Sequence, residues 1–134
     1  MKTFPKNVYI CIMKFLVVLA VFLTCHFLAD FCLTNRSMLK EKADGRNLGP
    51  ILWHAAIHGM LIAVCVWLAV DFRTAVWAFI IECFTHWAID WGKGRIMGRY
   101  LVYADTHKKH YWILFGFDQL LHLYVLLYIC SFIF

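Results

Sequence analysis

Four pairs of ionisable residues, each spaced by four, punctuate an otherwise apolar sequence: His26 with Asp30, His54 with His58, His86 with Asp90, and Asp118 with His122. An α-helix puts positions i and i+4 on one face, so both side chains of a pair can aim at a single point. Imidazole and carboxylate donors without thiolate suit Zn, Mn or Fe better than soft copper, and eight of them suffice for one or two divalent ions. Two metals about 3.5–4 Å apart activate water and stabilise the oxyanions of a phosphoryl transition state. Glu82, one turn before His86, falls on the same stripe as a ninth ligand, a partner for His86 or the general base of such a reaction. The competing reading is that His–Asp hydrogen bonds glue helices together. Interhelical contacts of that kind are worth only about 0.6 kcal/mol each and are usually made by Ser, Thr, Asn or Gln. An ionisable group inside a membrane span costs roughly 2.5–3.5 kcal/mol, which a metal or a wet polar cavity must offset.

The elements that must position these pairs are membrane helices. The chain has 134 residues, of which 63% are hydrophobic and 18% aromatic, too apolar for a soluble domain of this length. Four apolar runs, about residues 15–34, 51–70, 74–91 and 112–134, match the bilayer hydrocarbon at 1.5 Å rise per residue. A basic tail with Lys2, Lys6 and Lys14 precedes the first run, and Met13 offers an alternative start. Leu-Thr-Cys at 23–25 is a poor lipoprotein signal, so the first run is read as a retained span. Pro50 suits the opening of the second helix, and Gly92 and Gly94 read as the end of the third. The six cysteines form no CxxC pair and read as small buried hydrophobes. The expectation is an all-α, polytopic membrane protein: one domain over 1–134, with four transmembrane helices arranged as two tandem hairpins in a bundle.

Depth ties the pairs together. His26 and Asp30 close the first helix, His54 and His58 open the second, His86 and Asp90 close the third, and Asp118 and His122 open the fourth. All eight fall roughly 2–15 Å below one membrane surface at 1.5 Å per residue. The pattern is also duplicated, since His26-Phe-Leu-Ala-Asp30-Phe echoes His86-Trp-Ala-Ile-Asp90-Trp. Each echo is followed by a basic connection, 35–49 or 92–111, and by a second pair ending in histidine. Nine of the thirteen Lys and Arg lie in those two connections. The positive-inside tendency therefore makes them cytoplasmic in the inner (plasma) membrane and turns both termini outward.

The net charge of +5 suits anionic headgroups or a phosphorylated substrate, and nothing in the sequence resembles a nucleic-acid-binding domain. Lys93 follows Asp90 by three residues and Lys40 follows Asp30 by ten, so both can overhang the mouth of the site and hold a phosphate, as can Arg95. Their plain alternative is cytoplasmic anchoring. His107 and His110, beside Lys108 and Lys109, read as solvated loop residues.

The motifs His26-Phe-Leu-Ala-Asp30-Phe, His54-Ala-Ala-Ile-His58-Gly, His86-Trp-Ala-Ile-Asp90 with Lys93, and Phe117-Asp118-Gln119-Leu-Leu-His122 resemble those of a small uncharacterised membrane-protein family, a domain of unknown function of phages and bacteria. The likeness covers about residues 15–130. It implies four helices and makes Lys40, Lys93 and Gln119 motif positions beside the eight donors, with Gln119 joining the substrate-binding set. Thr34 departs from the pattern, where a glutamine is expected. A looser likeness, in the His-x-x-x-Asp pairs alone, is to membrane-bound metal-dependent hydrolases.

The leading expectation is a membrane-embedded hydrolase, dependent on one or two Zn, Mn or Fe ions, that cleaves a phosphoester in a lipid or amphiphilic substrate near the cytoplasmic face. Two other classes stand beside it: a carrier of divalent metal or protons, which needs polar residues across the whole bilayer, and a non-enzymatic membrane protein that binds a partner.

Overall fold

A computed structural model describes residues 5–134. Pro5, with φ near −55°, leads into helix α1, Lys6–Phe27. This start corrects the expected one at residue 15. Val8, Ile10, Cys11, Ile12 and Met13 carry the apolar pattern back through the basic tail, so Lys6 and Lys14 belong to the helix, while Lys2 lies outside the described residues. After Phe27 the chain widens into a π-helical turn, Leu28–Cys32. Just beyond it the Thr34 hydroxyl donates to the Ala29 carbonyl at 2.8 Å.

Residues 35–49 are more than a connection, because they contain helix α2, Arg36–Asp44. The Asn35 side chain accepts the Met38 amide at 3.0 Å, and Gly45, at φ +64°, closes the helix. Both are ordinary helix start and stop devices. Helix α3, Leu48–Ala69, has Pro50 in its first turn. A tight link then leads into α4, Phe72–Arg99. Asp71 caps α4, its carboxylate accepting the Thr74 amide at 2.9 Å and the Thr74 hydroxyl at 2.7 Å. Those bonds hold the Asp71 carboxyl below the usual carboxylate range.

Gly92 and Gly94 do not end α4, which continues to Arg99. Gly94 instead faces the end of α2. A Cβ at Gly94 would stand 2.9 Å from the Gly45 nitrogen and 3.0 Å from the Lys42 carbonyl oxygen, and one at Gly45 would stand 2.7 Å from the Arg95 nitrogen. These glycines serve the close approach of two backbones, the use small residues have between membrane helices. The rest of the second basic stretch holds a short 3₁₀ turn, Leu101–Tyr103, before α5, Lys109–Ile133, which starts three residues earlier than expected.

The described residues are all-α, with no strand among them. Helices α1, α3, α4 and α5 form a closed ring in which each packs on two neighbours, and α2 lies across α3 and α4. One half of the ring is packed apolar, around Phe22, Ile62, Val66, Ala78, Leu126 and Ile129. Three stretches, Lys6–Cys32, Leu48–Ala69 and Lys109–Ile133, are long and apolar enough to cross a membrane. Their outer faces carry large exposed side chains such as Trp53 (64%) and Leu68 (81%), as lipid contact requires. Of the four expected spans, α4 falls outside this set despite its 28 residues, because Arg73, Glu82, Asp90, Lys93, Arg95 and Arg99 lower its hydropathy. The cysteines also differ from expectation. Cys130 is buried, but Cys11 and Cys32 lie on the exterior, and Cys25 and Cys65 are half-buried with their sulfurs 3.7 Å apart.

Candidate metal centre

The other half of the ring holds the ionisable residues. His26, Asp30, His54, His58, Glu82, His86, Asp90, Asp118 and His122 come from the α1 end, α3, α4 and α5, and all meet there. The five imidazoles crowd together in the middle, tilted or edge-on to one another, with ring centroids 3.7 Å apart for His58 and His86, 4.0 Å for His86 and His122, and 4.7 Å for His26 and His58. Every buried polar or charged residue among those described belongs to this cluster.

Helix periodicity explains the convergence within each pair. His26 Nε2 is 3.4 Å from Asp30 Oδ2, His86 Nε2 is 3.4 Å from Asp90 Oδ2, and His122 Nε2 is 3.6 Å from Asp118 Oδ1. Packing of the helices supplies the cross-links: His54 Nε2 to Asp30 Oδ1 at 3.1 Å, His58 Nε2 to Asp30 Oδ1 at 3.6 Å, and His122 Nε2 to Asp90 Oδ1 at 3.7 Å. Most of these separations are long for hydrogen bonds. They match the spacing of ligands, because two donors each about 2.1 Å from a tetrahedral ion stand about 3.4 Å apart. Three groups bring one donor atom per residue within 4.8 Å of one another: His26, His58, Glu82 and His86; Asp30, His54, His58 and His86; and His86, Asp90 and His122. Buried atoms without a hydrogen-bond partner among the described residues include both ring nitrogens of His26, Nε2 of His58, His86 and His122, Glu82 Oε2, both Asp90 oxygens and Asp118 Oδ1. Buried polar atoms are nearly always partnered. The donor set therefore fits a divalent ion in its chemistry, spacing and unmet valence.

Glu82 sits at the deep end, with Oε1 3.3 Å from His86 Nδ1 and Oε2 unpartnered. Thr34, at the position that departs from the resembled pattern, lies with Oγ1 3.4 Å from His54 Nδ1 and so orients that ring.

At the opposite, outward end two lysines close the cluster. Lys93 Nζ donates to Asp118 Oδ2 at 2.7 Å and is 3.6 Å from Asp90 Oδ1. Gln119 Nε2 donates to the same Asp118 oxygen at 3.1 Å. The sequence points to both residues. It does not point to the third residue at this end, Lys42, whose Nζ donates to Asp30 Oδ1 at 2.7 Å and lies 3.0 Å from His54 Nε2 and 3.2 Å from Asp90 Oδ2. Burial alone would pull this ammonium down, but the Asp90 and Asp30 carboxylates outweigh it and hold its pKa above the ordinary lysine value. The available signal was α2 itself, with its Asn35 cap and Gly45 stop, since a helix there puts Lys42 one turn from buried Met38.

Two of the residues expected at the site do not reach the cluster. Lys40 is exposed on the outer face of α2. Arg95 lies on α4 in a separate surface groove with Asp44, Arg46 and Arg99, because the continued helix turns it away from the lysine face. His107 and His110 are exposed, as expected.

A cavity of about 170 Å³ leads from the lysines to the surface between α2, α4 and α5. Asp30, Lys42, Lys93 and Gln119 form its polar part, and Phe31, Leu39 and Phe115 are among its apolar walls.

The family model DUF3307, described as a protein of unknown function, matches residues 18–134. No curated protein and no solved structure matches the chain.

Proposed function

Given that this chain belongs to the DUF3307 family of unknown function, we propose that it is a membrane-embedded, metal-dependent hydrolase of a phosphoester carried by a lipid or other amphiphile. The observation that carries the metal reading is the set of unpartnered donor atoms, buried together at the centre of an apolar ring. In this reading α4 is a fourth span, tolerated in the bilayer because Glu82, His86 and Asp90 are buried in the ring and do not face lipid, while Arg73, Arg95 and Arg99 lie toward its ends. The basic ends of the helices lie on the cytoplasmic side.

His26, Asp30, His54, His58, His86, Asp90, Asp118 and His122 would hold one or two ions of Zn, Mn or Fe, with Glu82 available to the deep group. Such an ion supplies an activated water and charge stabilisation for the phosphoryl oxygens. The chain's own part follows from the geometry. Lys93, Lys42 and Gln119 present donors to an anionic head in the cavity, while Phe31, Leu39 and Phe115 flank its apolar body. Glu82, with one oxygen held near His86 and one free, would take up the proton at the deep end, relayed through the histidine cluster from the cavity side. The carrier reading has less support, since among the described residues the apolar half of the ring offers no buried polar side chain along which an ion could continue.

The test is metal content and turnover. Protein purified in detergent from metal-supplemented cells is expected to hold about one or more equivalents of metal and to hydrolyse an amphiphilic phosphoester; below about 0.2 equivalents the reading fails. Glu82→Gln is expected to lose roughly 10²–10⁴-fold in kcat in protein whose bound metal is measured alongside turnover; unchanged turnover removes its role as base.

A further inference from the structure

Lys42 stands where a cation serves three donors from three helices. Its Nζ is within 3.2 Å of Asp30 Oδ1, His54 Nε2 and Asp90 Oδ2, and two of those residues, Asp30 and His54, belong to one of the ligand groups. A divalent ion bridging the same atoms would sit about 2.0–2.2 Å from each, in space the ammonium fills. Ammonium and dication cannot share that position, because like charges this close repel strongly in a low-dielectric interior. The deep group of His26, His58, Glu82 and His86 makes no contact with Lys42, so an ion there is compatible with the lysine in place.

Lys42 can also leave. It belongs to the short helix α2, outside the ring, and it lines the cavity as well as the cluster. A rotation of its long side chain exchanges the carboxylates for the cavity, where an anionic head would sit.

We propose that Lys42 is the resident cation of the outer half of the centre: it excludes a second metal ion while it bridges Asp30 and Asp90, and a second ion binds only when its ammonium turns into the cavity. This rests on the metal-centre reading above. It makes Lys42 a positioning residue that couples metal stoichiometry to occupation of the cavity, so the centre holds one ion at rest and two with an anion bound. The resident role requires charge and length, not lysine chemistry as such.

The experiment is zinc binding by the full chain in detergent, for wild type, Lys42→Met and Lys42→Arg, read by equilibrium dialysis with elemental analysis. Lys42→Met is expected to bind one further zinc per chain at a free concentration at least about tenfold below that at which wild type does. Lys42→Arg is expected to behave as wild type. Inorganic phosphate is expected to promote the second zinc in wild type and not in Lys42→Met. If wild type binds zinc and Lys42→Met binds the same amount at the same affinity, the proposal is overturned while the metal centre stands. If wild type binds none, the metal centre itself falls and Lys42 with it. Retained helical circular dichroism checks folding of each variant. A second reading covers a Lys42→Met that is unstable without metal: its melting temperature must rise more on adding zinc than that of wild type, and an equal rise overturns the proposal.

Discussion

Asp90 faces Lys42, Lys93, His54, His86 and His122, and it is fully buried. Removing it leaves two ammonium groups short of a partner inside the ring, the situation in which breaking a buried ion pair costs about 3–5 kcal/mol. Asp90→Ala is therefore expected to destabilise the detergent-solubilised protein by about that amount, measured by chemical or thermal unfolding. A loss below about 1 kcal/mol would mean that the lysines find other partners. At this scale the sequence was informative for the donors and less so for the cations. The pairs stood out because four-residue spacing defines a helix face and because charge in an apolar run is costly. Lys93 stood out by its closeness to Asp90. Lys42 lies twelve positions from Asp30 across a polar stretch, and only the fold of that stretch brings the two together. Lys40, in the same stretch, has the equivalent claim by sequence, but α2 turns it to the outside.

Helix α2 reaches the cluster because its end rests directly on α4. Gly94→Ala would force the Gly45 and Lys42 backbones outward from contacts of 2.9–3.0 Å. It is expected to cost about 1–3 kcal/mol, as overpacking does, and to withdraw Lys42 from Asp30. In the zinc experiment Gly94→Ala should then resemble Lys42→Met, whereas Gly92→Ala, which has open space around its Cβ, should resemble wild type. Helices α3 and α5 were readable from apolar runs and from Pro50, to within three residues at each end. The extension of α4 was not, because Gly92 and Gly94 carry the same local signature whether they stop a helix or let another backbone approach. Helix α2 was obscured for a related reason: its mostly polar sequence reads as a connection until its caps are weighed.

At the scale of the whole molecule, the cluster and the apolar half divide the ring into two unlike ends. The basic ends of the helices lie beside the cluster, and the Asp71 link lies beyond the apolar half. If the basic side is cytoplasmic, a cysteine introduced at Ser37 in a cysteine-free chain should resist an impermeant maleimide in intact spheroplasts and react after lysis. One at Arg73 should react in both. The reverse pattern would invert the orientation and put the lysine cavity on the outside.

The crowding of the cluster has an electrical consequence. Asp30, Glu82, Asp90 and Asp118 contribute four carboxyl groups, and Lys42 and Lys93 contribute two ammonium groups. Counted as ionised, these six groups leave two negative charges, which a dication or protonated imidazoles can meet. Were Lys42 to turn into the cavity, one positive charge would leave this count, and a second bound cation would be the natural replacement. If the centre works as proposed, the position of one lysine side chain sets how much positive charge the interior takes from bound ions.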